Sequence, residues 1–239
     1  MTIPFGRTGR GLWVIVAALF GVGLLSALAA EASTSTYVIP SGSTAGGQPV
    51  SATATFVTST DDIKITLTNL QSNPTSVIQN ISDLFFTLST GQTTGTLQSS
   101  SGKERTVNSN GTFTDGSTVS TGWALEATAT GLHLNVLGTA IGPKHTLIGD
   151  SGPGALYSNA NNSIAGNDPH NPFLAGPISF DLSVIGVTVA TLVNSVTFSF
   201  GTEAGTNVPG VPRIPEPATA LLLGSGLLIV GALRWRRRR

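Results

Sequence analysis

A serine set among small turn-forming residues, Gly149-Asp150-Ser151-Gly152, is the arrangement by which an acyl-transfer enzyme presents a nucleophilic hydroxyl. Such a hydroxyl needs a histidine base and backbone donors for the oxyanion. Pro153 follows at once, His145 lies only six residues upstream, and His133 falls on the polar face of an alternating segment. No histidine precedes His133 in the chain, so the run reads as a turn and no catalytic residue is assigned.

Two other groupings have the residue types for chemistry. Asp150, Asp168 and His170, interspersed with Asn159, Asn161, Asn162, Asn167 and Asn171, offer oxygen ligands of the kind calcium takes on loops of exported domains. Their spacing matches neither an EF-hand nor a calcium-binding repeat, so calcium stays an option and no cofactor or metal site is assigned. Asp61, Asp62, Glu104 and Asp115 are carboxylates of the sort a glycosidase brings to about 5 to 9.5 Å, but nothing in their spacing pairs them. Trp123 could stack on a sugar, yet it begins an apolar alternating run and reads as core.

The elements that would position these groups have period two. Val50, Ala52, Ala54 and Phe56 alternate with small polar residues, as do Ile63, Ile65 and Leu67, then Leu84, Phe86 and Leu88. Trp123, Leu125 and Ala127 continue the pattern, with Leu132, Leu134 and Val136, then Ile178, Phe180, Leu182 and Val184, and finally Val196, Phe198 and Phe200. Alternation of this kind describes strands with one buried and one wet face. It predicts an all-β, largely antiparallel β-sandwich, jelly-roll-like, of eight to ten strands over residues 33–200. Residues 98–118 read as loops around at most short strands, with a possible hairpin at Asn110-Gly111. Residues 149–177, rich in glycine, asparagine and proline, read as a long surface excursion, and residues 201–214 as a glycine- and proline-rich stalk.

Composition narrows the partners. Between residues 33 and 213 five basic residues (Lys64, Lys103, Arg105, Lys144 and Arg213) face ten acidic ones. No basic stripe is available, so no nucleic-acid partner is expected. The chain has no cysteine, which excludes disulfides, thiolate metal sites and a cysteine nucleophile.

Both ends read as targeting segments. Arg7 and Arg10 precede an apolar run from residue 12 to 28, and Ala27-Leu28-Ala29 has the small-x-small spacing of a signal-peptidase site, with Ala30-Glu31-Ala32 a second candidate. Residues 1–32 are therefore a signal peptide, with an uncleaved signal anchor as the alternative. At the other end Pro215, Glu216 and Pro217 precede sixteen uncharged residues, 218–233, and then Arg234, Trp235 and Arg236 to Arg239. At about 1.5 Å per residue the run makes a helix of roughly 24 Å, at the short end of what spans a bilayer. The arginines hold that end in the cytoplasm, which places the body outside. The prolines keep their neighbourhood extended, the form a processing enzyme reads.

Pro-Glu-Pro, a short apolar helix and a terminal arginine cluster resemble the PEP-CTERM sorting signal of Gram-negative bacteria that make extracellular polysaccharide. The resemblance covers residues 215–239. It implies recognition of Pro215, Glu216 and Pro217 by an exosortase, transient anchoring in the inner membrane through residues 218–233, and topology set by Arg234, Arg236, Arg237, Arg238 and Arg239. Delivery to the cell surface or matrix would follow. It implies nothing about the activity of the body. The expectation is a non-enzymatic surface or matrix component that binds exopolysaccharide, the cell envelope or other copies of itself. The alternatives are an exported hydrolase with the same tag and an unprocessed membrane-anchored structural protein.

Overall fold

The computed structural model describes residues 32–203 and 206–213. They are all-β, with no α-helix among the described residues. In chain order the strands are β1 (Ser33–Val38), β2 (Thr44–Ala45), β3 (Gln48–Pro49), β4 (Ala52–Ser59), β5 (Asp62–Asn69), β6 (Ile81–Leu88), β7 (Thr96–Val107) and β8 (Phe113–Val119). There follow β9 (Ala124–Ala127), β10 (Leu132–Asn135), β11 (Leu147–Ile148), β12 (Phe173–Ser183), β13 (Val193–Phe200), β14 (Asn207–Pro209) and β15 (Val211–Pro212).

All but the small β2-β3 pair belong to one mixed sheet. One wing runs β15-β1-β4-β5-β12, with β7 and β8 beyond β12. The other holds β14, β13 and β6, with β10 and β9 on the far side of β6. Short β11 bridges them, pairing with both β6 and β12. The alternating residues explain the packing, because each wing turns its apolar set toward the other. Phe56 on β4 meets Phe86 on β6 at 5.1 Å between ring centres, and the Tyr37 hydroxyl on β1 donates to the Val193 carbonyl on β13. Ile65, Leu67, Leu84, Phe180 and Phe198 are buried in the same core.

The structure departs from the sequence expectation in four places. The described residues hold fifteen strands rather than eight to ten, several of them only two or three residues long, and the largely antiparallel main sheet includes one parallel pair, β11 with β12. Consecutive parallel strands need a connection of a dozen residues or more, and the excursion after Ile148 supplies it. That excursion ends at Phe173 rather than Pro177, because β12 absorbs Gly176, at φ +72°, and Pro177 in a bulge between Ala175 and Ser179. Residues 98–118 form two long strands rather than loops. The small side chains hide the pattern: Gly102 lies under Leu174 and Ile178, and Ser101 meets Ser179 hydroxyl to hydroxyl at 2.8 Å. The stretch read as a stalk contains β14, paired with β13, and β15, paired with β1.

The excursion carries its own core. Tyr157 and Ile164 from it are buried with Val107, Ile148 and Phe173, and Phe113 packs on this cluster. No helix among the described residues is long and apolar enough to cross a membrane, and the run 218–233 lies outside them.

Candidate functional site

Because Leu84 and Phe86 point into the core, Asp83 and Phe85 project from the opposite face of β6. Strand register decides their neighbours. Phe85 lies beside Thr197 of β13 and His133 of β10, and His133 lies beside Glu126 of β9. In the next row Asp83 lies between Ser199 and Asn135, and Ser199 faces Asn207 of β14. Four strands from distant parts of the chain thus set one ring among polar groups. Between them is a hollow of about 350 Å³, lined by Asp83, Phe85, Thr128, His133, Thr197, Ser199 and Asn207.

His133 is the hub. Its Nε2 lies 3.3 Å from Asp83 Oδ2 and its Nδ1 3.1 Å from Glu126 Oε2. The Asn135 amide donates to the other Glu126 oxygen at 3.3 Å. The hydrogen bond to Asp83 raises the His133 pKa above its ordinary value, and Glu126 adds to this while burial opposes it. Asp83 Oδ1 is buried and has no hydrogen-bond partner. On the far rim the Ser199 hydroxyl donates to Asn207 Oδ1 at 2.6 Å. The turn from Thr128 to Gly131 closes the near rim: the Thr128 hydroxyl donates to the Gly131 carbonyl and accepts from its N–H, each at 2.9 Å. A side chain at Gly131 would come within 2.9 Å of Phe85 Cζ, so glycine lets the turn lie against the ring.

Both nitrogens of His133 are turned to carboxylates, and the Ser199 hydroxyl is committed to Asn207. What remains is an aromatic face with donors and acceptors around its rim.

The groups singled out from sequence do not converge. The Ser151 carbonyl accepts from the Ser72 hydroxyl at 3.5 Å, while Gly152 closes a tight turn with Leu156. His145 is buried elsewhere, with Nδ1 at 2.9 Å from the Thr121 carbonyl and Nε2 at 3.1 Å from Glu104. Asp115 takes a two-pronged bond from Arg105, at 2.6 and 3.0 Å, with Lys103 at 3.0 Å. The Arg105 bond holds the Asp115 carboxyl down to about 2. Asp61 accepts from the Gly186 N–H at 2.7 Å, and Asp62 accepts from the Ser59 hydroxyl at 3.2 Å. Among the asparagines of the excursion, the Asn161 side-chain oxygen accepts from the Ser163 N–H, Asn167 donates to the Asn162 carbonyl, and Asn171 bonds the Val107 backbone in both directions. No group of three or more acidic, histidine or cysteine side chains suited to a metal ion occurs among the described residues. Trp123 is core, its ring 5.4 Å from Phe180 and its N–H donating to the His145 carbonyl at 2.9 Å.

Sequence reasoning placed His133 on a polar face but passed over Asp83, Phe85 and Asn207. The available signal was Phe85 itself, an aromatic at the outward position of a strand whose inward set is already apolar. The motif Pro215-Glu216-Pro217, the arginines from Arg234 to Arg239 and the Ala27/Ala29 cleavage site all lie outside the described residues. No protein-family model, curated protein or solved structure matches this chain.

Proposed function

We propose that this chain is an exported, non-enzymatic surface or matrix protein sorted by an exosortase. Signal peptidase releases the amino end, the exosortase reads Pro215, Glu216 and Pro217, and the β domain is handed to the cell surface or matrix, where it binds. The observation that carries this reading is the order of helix breaker, apolar run and arginine plug from residue 215 to 239, paired with a basic-then-apolar amino end. The domain itself we read as a two-layer sandwich of jelly-roll kind, the two wings being its layers. The non-enzymatic part is supported by the separate engagements of His145 with Glu104, Asp115 with Arg105 and Asp61 with the Gly186 N–H, none of which brings a base to the Ser151 hydroxyl.

Replacing Pro215, Glu216 and Pro217 with alanine tests the sorting step in a host with a working exosortase. Export continues, because the leader and the apolar run are intact, but a longer form stays in the membrane fraction. Replacing the four terminal arginines acts differently, since it weakens the stop-transfer signal. Release of the triple-alanine protein at the parent's mature mass would reduce the motif to a proline-rich membrane edge.

A further inference from the structure

We propose that the hollow centred on Phe85 binds a saccharide, and that it takes an uncharged hexose chain rather than an acidic one. The inference deepens the reading above and rests on it only for where the ligand is met. A pyranose has one face of C–H groups and a rim of hydroxyls. The hollow is the complement: one partly buried aromatic ring surrounded by hydroxyl, amide, carboxylate and imidazole groups. Phe85 is flanked in register by Thr197 and His133, with Asp83 and Asn207 in the next row, so polar groups stand on both sides of the ring. The turn from Thr128 to Gly131 packs against the ring edge, and the ring lines the hollow.

Asp83 supplies the second observation. Its Oδ1 is a buried acceptor without a partner beside the hollow, and a buried acceptor left unmet carries a desolvation cost. A small turn of the carboxyl toward an entering hydroxyl would meet that demand. Charge selects the class of sugar. No lysine or arginine lines the hollow, and Asp83 with Glu126 would repel a uronate or phosphate. Both carboxylates are already turned to His133, so the site is not laid out for a free cation either.

The test uses the full-length protein in detergent, titrated calorimetrically with glucose, mannose and N-acetylglucosamine hexaoses and with a polyuronate of the same length. At least one neutral hexaose binds. Phe85→Ala weakens that binding by about tenfold, the size of a lost aromatic contact. Phe85→Leu keeps apolar volume while removing the flat ring, so it weakens binding with the melting midpoint held. Asp83→Asn weakens it too, and Thr66→Ala on the other wing leaves it at the parent value. Absence of binding to every neutral hexaose, tighter binding of the polyuronate, or parent-like binding by both Phe85→Leu and Asp83→Asn would overturn the proposal. Mature mass in cells reports the exosortase reading separately, so one can fail while the other stands.

Discussion

His133 ties the β9-β10 pair to β6, about fifty residues upstream, reaching Asp83 on β6 and Glu126 on β9 from its place on β10. Its folded pKa is raised, chiefly by the bond to Asp83, so the linkage has a definite sign. Stability from the charged form is fully present below the unfolded value of about 6.5 and is lost as pH rises through the higher folded value. The parent should therefore lose melting temperature between about pH 6 and about pH 9 relative to His133→Gln, with the gap between them widest at the lower pH. Parallel melting curves across that range would mean that the imidazole contributes no charge to the fold. Arg105 is the counterpart on the other wing. It bonds Asp115 and the Tyr157 hydroxyl and stacks 3.9 Å over Phe113, which fastens the hairpin to the excursion.

Elements that read poorly in sequence are those whose side chains are small. The β7-β8 hairpin turns through Asn108 to Thr112, with Gly111 at φ +79° and the Asn110 carbonyl oxygen of the side chain accepting from the Thr112 N–H at 3.1 Å. The turn at Asn110-Gly111 was legible because its residue chemistry is local. The strands on either side were not, since Gly102, Ser99 and Ser101 give no alternating apolar signal. A Cβ at Gly111 would sit 2.6 Å from the Tyr157 carbonyl oxygen, and the left-handed backbone adds about 1–2 kcal/mol for any other residue. Gly111→Ala should accordingly lower stability by about 2 kcal/mol or more and expose the excursion to proteolysis near Tyr157, read by urea unfolding and limited digestion. Unchanged unfolding and digestion would show that the hairpin tip does not hold the excursion. Elsewhere the alternating sets were read correctly: Ala52, Ala54 and Phe56, Ile63, Ile65 and Leu67, and Ile178, Phe180 and Leu182 are all buried. Leu125 and Ala127 fit less well, being half-buried and exposed on short β9.

At the scale of the whole molecule the carboxyl-terminal strands matter more than their composition suggests. Asn207–Pro209 covers the edge of β13, Val211–Pro212 covers the edge of β1, and the Arg213 N–H donates to the Thr36 carbonyl at 2.7 Å. A chain of residues 33–213 should give a β-type circular dichroism spectrum and melt cooperatively. Ending it at residue 201 strips both edges, removes the buried Val208 and uncovers Phe198, which should lower the midpoint by about 5 °C or more. Equal midpoints would make residues 207–212 dispensable. By itself the sequence determined what depends on neighbours one or two residues apart: β character, the inward-facing sets, the turn chemistry, and the charge and apolar order of the two ends. Only the tertiary structure decided the parallel β11-β12 pair, the closing strands and the meeting of Asp83, Phe85, His133 and Asn207. Those depend on which strands lie side by side and in what register. That choice is made by backbone hydrogen bonds and the burial of the whole core, and it leaves no periodic mark on any single segment.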